Sequence, residues 1–380
     1  MRVLFQARIN LFSAPGGDTI QIVKTREYLQ KLGIECDLNI SVSAPIPYEK
    51  YDIVHLFNFT RIQETNWFAR SAKRAGKRVV LSTIYWDNTE VERFADLGFR
   101  SVINKYLTMG QIEYLKGLGR FILGREINPA TVNLLLKGFR GLQDDTLPYI
   151  DFYLPNAEIE MQMFRENFAK GKDLPYLVIP NAVEASAEAL SSHQESFKEF
   201  KDCIVCVGRI DGRKNQLNLV RALKDSDIPV VFVGQAAPNH RSYMDKIRKE
   251  ARSGVHFLGW VKHEELIDLY KNAKVHVCPS WYETPGLASL EAGAAGCNIV
   301  VTEKGSTREY FGDDAFYCQP ESVASIREAV LAAYHAPKNL RLQETILKNY
   351  TWEVTAQKTA QAYQTVMGYK NDILGSGKEK

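Results

Sequence analysis

Apolar residues in this chain fall in short, nearly continuous runs, and stretches of helical periodicity lie between them. Residues 2–7, 53–57 and 78–82 read as strands, with helices over 19–32 and 64–75. The first helix is expected to take Asp18 as its N-cap, with Gln21 at the capping-box position and Gly33 just past its end. A second series follows Pro180-Asn181, with apolar runs at 203–207, 230–233, 255–258, 275–278 and 298–301 and helical stretches between them. Strands that alternate with helices imply a parallel, doubly wound sheet. Runs this continuous suit strands buried on both faces. The pattern therefore predicts two doubly wound α/β domains meeting across a cleft near 177–181. In such folds ligands bind at the carboxyl ends of strands.

Composition narrows the class. At 380 residues the chain is long enough for two cores. Its 45% hydrophobic and 24% charged residues are those of a globular protein, and a net charge of +3 is too small to imply nucleic acid. No apolar run approaches the ~20 residues of a membrane span. Residues 1–5 read as a first strand rather than a signal peptide, so a cytoplasmic location is expected. Cys203-x-x-Cys206 lies in an apolar run with no Cys or His partner nearby, which favours core cysteines over a metal or redox pair.

Charge is unevenly spread. Residues 99–142 carry Arg100, Lys105, Lys116, Arg120, Arg125, Lys137 and Arg140 against Glu113 and Glu126, a net +5. Leucine, isoleucine and phenylalanine side chains interleave with these charges. One reading is an ordinary solvated helical insertion. The other is a basic amphipathic element giving peripheral contact with the inner face of a membrane.

The chemistry-bearing residues follow strand ends. Glu283 and Glu291 bracket Thr284-Pro285-Gly286-Leu287 after the run at 275–278. The expected arrangement is strand, loop, helix, with Pro285 at the first helical position and Glu291 about one turn inside. Free N–H groups of Gly286 and Leu287 at a helix N-terminus attract phosphate. A carboxylate on either side of such a cradle suits a ligand with hydroxyls at both ends, as in a nucleotide sugar. Gly208-Arg209-Ile210-Asp211-Gly212-Arg213-Lys214 follows the run at 203–207, where Arg209 and Lys214 can neutralise a diphosphate. Gly16-Gly17 follows the first strand and allows close backbone approach to a phosphate or sugar. Phe257-Leu258-Gly259-Trp260-Val261 can hold a base by stacking and backbone contact. His55 reads as a packed strand histidine.

These motifs, in order, resemble glycosyltransferase family 4, a large group of GT-B-fold enzymes. The resemblance rests on Gly16-Gly17, Ile179-Pro180-Asn181-Ala182-Val183, Gly208-Arg209 with Lys214, Phe257-Leu258-Gly259, Pro279-Ser280, Glu283 to Glu291, Glu309, and Tyr350-Thr351-Trp352-Glu353. It implies a GT-B fold of two Rossmann-like doubly wound parallel-sheet domains facing a cleft. It also implies an acceptor-side domain over 1–178 with its insertion at 99–142, a donor domain over 179–349, and a helix plus polar tail over 350–380 that crosses back. By the same resemblance Arg209, Lys214 and Glu283 carry catalysis. Gly16, Gly17, Val261, Thr284, Pro285, Gly286, Leu287 and Glu291 join them in donor binding, with Glu291 on the ribose. Members retain anomeric configuration and need neither a metal nor another cofactor. Many carry a histidine after the strand at 78–82. Here the stretch reads Ser82-Thr83-Ile84-Tyr85-Trp86-Asp87, so Tyr85 or Asp87 is the replacement sugar contact.

The expectation is a retaining glycosyltransferase passing a sugar from a nucleotide-diphosphate donor to a glycan or lipid-linked acceptor in cell-surface polysaccharide synthesis. The alternatives are a GT-B sugar-nucleotide epimerase and a catalytically inactive scaffold subunit at the membrane.

Overall fold

The computed structural model describes residues 1–87, 109–123, 127–184, 197–237 and 240–368. Of the 99–142 insertion, residues 99–108 and 124–126 lie outside the described residues, and with them Arg100, Lys105, Arg125 and Glu126. So does the polar tail from 369. The chain forms two units. The described residues of Met1–Trp86, Thr108–Pro180 and Trp352–Lys380 make one, and those of Asp87–Leu107 and Asn181–Thr351 the other.

The first unit is built on β1 (Arg2–Gln6), β2 (Glu35–Asn39), β3 (Ile53–Phe57), β4 (Arg78–Ser82) and β5 (Phe152–Tyr153). They are parallel throughout, in the order β2-β1-β3-β4-β5. That is the flavodoxin-like doubly wound order. All five residues of β3 are buried, as its apolar run requires of a central strand. Helices α1 (Gly17–Lys31), α2 (Ile62–Arg74), α3 (Met109–Ile122), α4 (Pro129–Thr146) and α5 (Glu158–Phe164) complete the unit up to Pro180. His55 is buried between Tyr363 Oη at 2.7 Å and Ser82 Oγ at 2.9 Å, and burial holds its pKa at about 3. It is a neutral structural group, as its strand position implied.

The first helix starts differently from expectation. Its N-cap is Gly16, and the Thr19 hydroxyl accepts the Gly16 N–H at 3.0 Å. Asp18 instead lies in the first turn and pairs with Arg8 at 2.7 Å. Arg8 also donates to Asn10 O and Ala14 O, so one nearly buried guanidinium ties down the whole β1–α1 loop. A carboxylate with such a partner is better placed there than at the cap. Gln21 is correspondingly free of any capping role and bonds Asn156 at 2.8 Å.

Helices α3 and α4 pack on one another, and α4 packs on α2. Asn128 caps α4 by accepting from Thr131 N at 3.0 Å, with Pro129 at the first helical position. Leu115, Ile122, Leu123, Ile127, Val132 and Leu136 of this hairpin remain exposed. They are six of the fourteen exposed large apolar side chains among the described residues, which concentrates that surface here. No helix of the described residues is long and apolar enough to cross a membrane.

The second unit contains β6 (Ile204–Val207), β7 (Val230–Val233), β8 (Val255–Gly259), β9 (Val275–Cys278), β10 (Asn298–Thr302) and β11 (Phe316–Cys318). The sheet is again parallel, in the order β11-β10-β9-β6-β7-β8. Counted from β6, this is the 3-2-1-4-5-6 order of dinucleotide-binding folds, with the chain reversing direction between β6 and β9. Helices α6 (Gln216–Ala222), α7 (Arg241–Glu250), α8 (His263–Asn272), α9 (Leu287–Ala294), α10 (Thr307–Phe311), α11 (Val323–His335) and α12 (Leu340–Asn349) surround it. Cys203 and Cys206 are both buried and reduced, in keeping with core packing. Helix α13 (Trp352–Met367) then packs on α1 in the first unit, with Tyr363 fully buried against His55.

Candidate functional site

The crevice outside the carboxyl ends of β6 and β9 is where a sheet of this order binds ligands. Two loops converge there. After β6, the Asp211 side chain accepts from Lys214 N at 3.0 Å and starts the single 3₁₀ turn Gly212–Lys214. Asn215 follows in a left-handed conformation, and its amide donates to Pro279 O at 3.0 Å and Pro320 O at 2.7 Å. That one buried amide locks the β6 loop against the β9 loop.

Within this frame Lys214 Nζ meets Glu283 Oε1 at 2.5 Å, and Arg213 Nη1 lies 3.4 Å from the same oxygen. The Cys278 thiol donates to it at 3.5 Å. Glu283 is only 4% exposed, so its charge persists because two cations face it. Burial pushes the carboxyl up, but the Lys214 and Arg213 charges outweigh burial and hold it at about 2. For Lys214, burial lowers the pKa while Cys278 and Glu283 outweigh it, leaving the ammonium charged and its pKa raised.

Glu283 is also fixed through its backbone. Its N–H donates to Lys304 O at 3.1 Å, and its carbonyl accepts from Ser306 N at 2.9 Å. Gly305, with φ of +110°, makes this possible. A Cβ there would lie 1.9 Å from the Glu283 carbonyl oxygen. Only glycine lets the loop after β10 press this closely.

Arg209 differs from its neighbours. Its side chain is 66% exposed and, among the described residues, pairs with Asp211 alone, at 3.9 Å, so its fork is available for an anion. Glu291 differs again. Among the described residues no hydrogen bond or ion pair engages its carboxyl, and burial alone pushes it up to about 7. It sits five residues into α9, about a turn inside as expected. The helix itself starts later than expected. Gly286, with φ of +91°, is the N-cap and Leu287 is the first helical residue, so Pro285 precedes the helix instead of opening it. Thr284 and Leu287 are partly exposed, while Pro285 and Gly286 are buried. Val261 is partly exposed just past β8, beside the far more exposed Trp260.

The first-unit candidates fare unevenly. Gly16 caps α1, and Gly17 is its exposed first residue. Tyr85 is a core residue. Its ring packs edge-on to Phe59, Phe164 and Phe168, and its hydroxyl accepts from Asn167 at 3.3 Å. An aromatic ring after an apolar strand finds more area in a ring cluster than at a polar surface, so Tyr85 packs in the core and is not placed as a surface sugar contact. Asp87, which groups with the second unit, is partly exposed. Sequence reasoning passed over three contributors to the second-unit site: Arg213, Cys278 and Gly305. Arg213 was visible only as one charge in a basic run, and Gly305 carried no local signal.

Residues 165–349 match the family model described as glycosyl transferases group 1. This part of the chain is similar to that family. The group 1 segment carries every second-unit candidate, from Arg209 to Glu291. Among curated proteins, the chain is 25% identical over 189 residues to O-antigen chain mannosyltransferase B of Escherichia coli, covering 47% of this chain and 50% of that protein. The chain spans half or less of the length of the curated relatives it matches first. Among solved structures, sucrose-phosphate synthase from Thermosynechococcus elongatus superposes with a TM-score of 0.70 at 16% identity, covering 97% of this chain and 100% of that one. The HepE protein of Anabaena, crystallised with UDP, gives a TM-score of 0.64 at 15% identity, covering 96% and 100%. The fold is GT-B, with two parallel-sheet α/β domains.

Proposed function

We propose that this protein is a retaining glycosyltransferase that moves a hexose from a nucleotide-diphosphate sugar to a glycan or lipid-linked acceptor. The observation that carries the reading is the charge pattern at the β6–β9 crevice. It sets a charged Lys214 beside a buried, ionised Glu283, with a largely exposed Arg209 on the same loop and, on the helix beyond, a Glu291 whose carboxyl meets no hydrogen-bond or ion-pair partner among the described residues. Arg209 and Lys214 supply positive charge to the diphosphate, so this chemistry calls on no metal or other cofactor. Gly286 and Leu287, at the start of α9, offer N–H groups to the phosphate. Glu283 accepts hydrogen bonds from the sugar hydroxyls and Glu291 from the ribose. Thr284 and Pro285 shape the connecting loop, and Trp260 and Val261 face the base.

In the reaction, the bond from the anomeric carbon to the leaving phosphate breaks. The acceptor oxygen bonds to the same face of that carbon, and the acceptor proton passes to the departing phosphate oxygen. Negative charge grows on the diphosphate as the bond breaks, so cations set against it stabilise the transition state more than the ground state. The relatives support this class of chemistry: one is named for mannosyl transfer to O-antigen chains, and one was crystallised with UDP. The exposed apolar residues of the α3–α4 hairpin and the net +5 of 99–142 support peripheral contact with the inner face of a membrane, where a lipid-linked acceptor would be met.

The test is release of UDP, GDP or ADP from a panel of nucleotide sugars, with and without candidate acceptors, in the presence of EDTA. Product anomeric configuration is read by NMR. Release from one donor, with configuration retained, is expected. Absence of release from every donor overturns the reading.

A further inference from the structure

Lys214 has two tasks in this site that conflict. In this structure it holds Glu283 at 2.5 Å. With donor present it turns toward a diphosphate, and a carboxylate only 4% exposed loses its nearest cation. An ionised buried carboxylate left without a partner is strongly destabilising and takes up a proton instead. A protonated Glu283 accepts fewer hydrogen bonds from a sugar.

Arg213 is built to prevent this. Its carbonyl accepts from Trp281 N at 2.9 Å, and Nη1 donates to Tyr282 O at 3.3 Å while lying 3.4 Å from Glu283 Oε1. Its guanidinium also lies over the Tyr282 ring, 5.3 Å from the centroid. One residue thereby holds 281, 282 and 283 in succession. Among the described residues, Glu283 is the one carboxylate within ion-pair distance of Arg213. Lys214 ends in a mobile point charge on a flexible stem, whereas the guanidinium is planar and pinned.

Building on the glycosyltransferase reading, we propose that Arg213 is a positioning residue: it keeps Glu283 ionised and in place while Lys214 leaves for the donor diphosphate. Arg213 acts on the sugar only through Glu283. The groups facing Glu283 are Arg213 and Lys214 from the 3₁₀ turn, Cys206 from β6, Cys278 and His276 from β9, Ser280 just after β9, and Tyr282 from its own loop.

Lys214→Met reproduces what Glu283 meets when Lys214 has departed, so it isolates the Arg213 contribution. Melting temperatures are measured from pH 5 to 8 for wild type, Lys214→Met, Arg213→Met and the double variant. Lys214→Met is expected to follow the wild-type pH profile, since Arg213 still holds the charge. The double variant should lose stability at pH 8 and regain it as pH falls, because its lone Glu283 then folds protonated. A Lys214→Met profile that already shows this recovery overturns the proposal, as does a double variant without it.

A kinetic cycle checks the consequence. Arg213→Met should lower kcat at least tenfold in the wild-type background and leave nucleoside diphosphate affinity unchanged. It should add nothing in a Glu283→Gln background, and Arg213→Lys should restore part of the loss. Equal losses in both backgrounds would mean that Arg213 acts directly on the donor. If wild type releases no nucleoside diphosphate from any donor, the transfer reading fails, and the pH profiles still decide the role of Arg213.

Discussion

Replacing Glu291 by glutamine should stabilise the ligand-free protein and weaken nucleotide binding, and the size of the first effect follows from the burial of one carboxyl. Unfolded, the group titrates near its ordinary 4.5, whereas folded it is pushed up to about 7, with no partner among the described residues to offset the burial. Between those values the folded state holds a proton that the unfolded state has released, so stability falls as pH rises. Above pH 7 the loss is complete. At about 1.4 kcal/mol per pH unit, it amounts to about 3 kcal/mol. That figure is a ceiling, because part of the Glu291 side chain still meets solvent. Glutamine is neutral at every pH and nearly the same shape, so it removes this cost without opening a cavity. Scanning calorimetry on both proteins from pH 4 to 8.5 is the assay. The difference at pH 4 measures how the amide itself fits, and the growth of that difference toward pH 8 isolates the charge. For a unit of this size the growth corresponds to a rise of roughly 6–12 °C in the second unit's Tm. A difference that is the same at pH 4 and pH 8 would refute the reasoning. Affinity for the cognate nucleoside diphosphate should meanwhile drop about tenfold, since a carboxylate accepts ribose hydroxyls more strongly than an amide.

Lys214→Ala should cut turnover about a hundredfold, the order found when one charge-stabilising donor is lost, with donor KM changing much less; wild-type turnover would remove Lys214 from the diphosphate. Replacing Ile122, Leu123 and Ile127 together by serine should abolish flotation with anionic liposomes while leaving Tm within about 2 °C, because all three are exposed; flotation equal to wild type would rule out the hairpin as a membrane contact. Gly305→Ala should cost at least ~2 kcal/mol through the clash with the Glu283 carbonyl, and activity should fall further than at a stability-matched core variant. Activity surviving at that stability would show that the β10 loop does not place Glu283.

Central strands were legible because burial on both faces leaves an uninterrupted apolar run, as at 53–57, 230–233 and 275–278. β2 was missed because an edge strand needs only one inward residue. In Glu35–Asn39 only Cys36 is buried, so the segment reads as polar. β5 and β11 span two and three residues, too short for any periodicity to register. At the site, Arg209, Lys214 and Glu283 were legible by their place after strands. The role of Arg213 was not, because it depends on which loop lies opposite the 3₁₀ turn. Tyr85 failed as a sugar contact for the same reason in reverse: its ring partners come from residues 59, 164 and 168, which local sequence does not connect. Pro285 misled because a proline before a helical stretch favours the first helical position, whereas here Gly286 supplies the turn.

Helix α13 has a consequence for how the chain is made. The first unit is unfinished at Pro180: the face of α1 that receives α13 and the His55 Nδ1 that meets Tyr363 both wait for residues near the far end of the chain. During synthesis the whole of 181–351 emerges in between. The second unit can therefore close first, on its own contiguous segment, while the earlier-made unit stays open. A chain cut short after Thr351 would keep a complete β6–β11 sheet yet leave α1 uncovered, so one fragment would join a finished unit to an unfinished one.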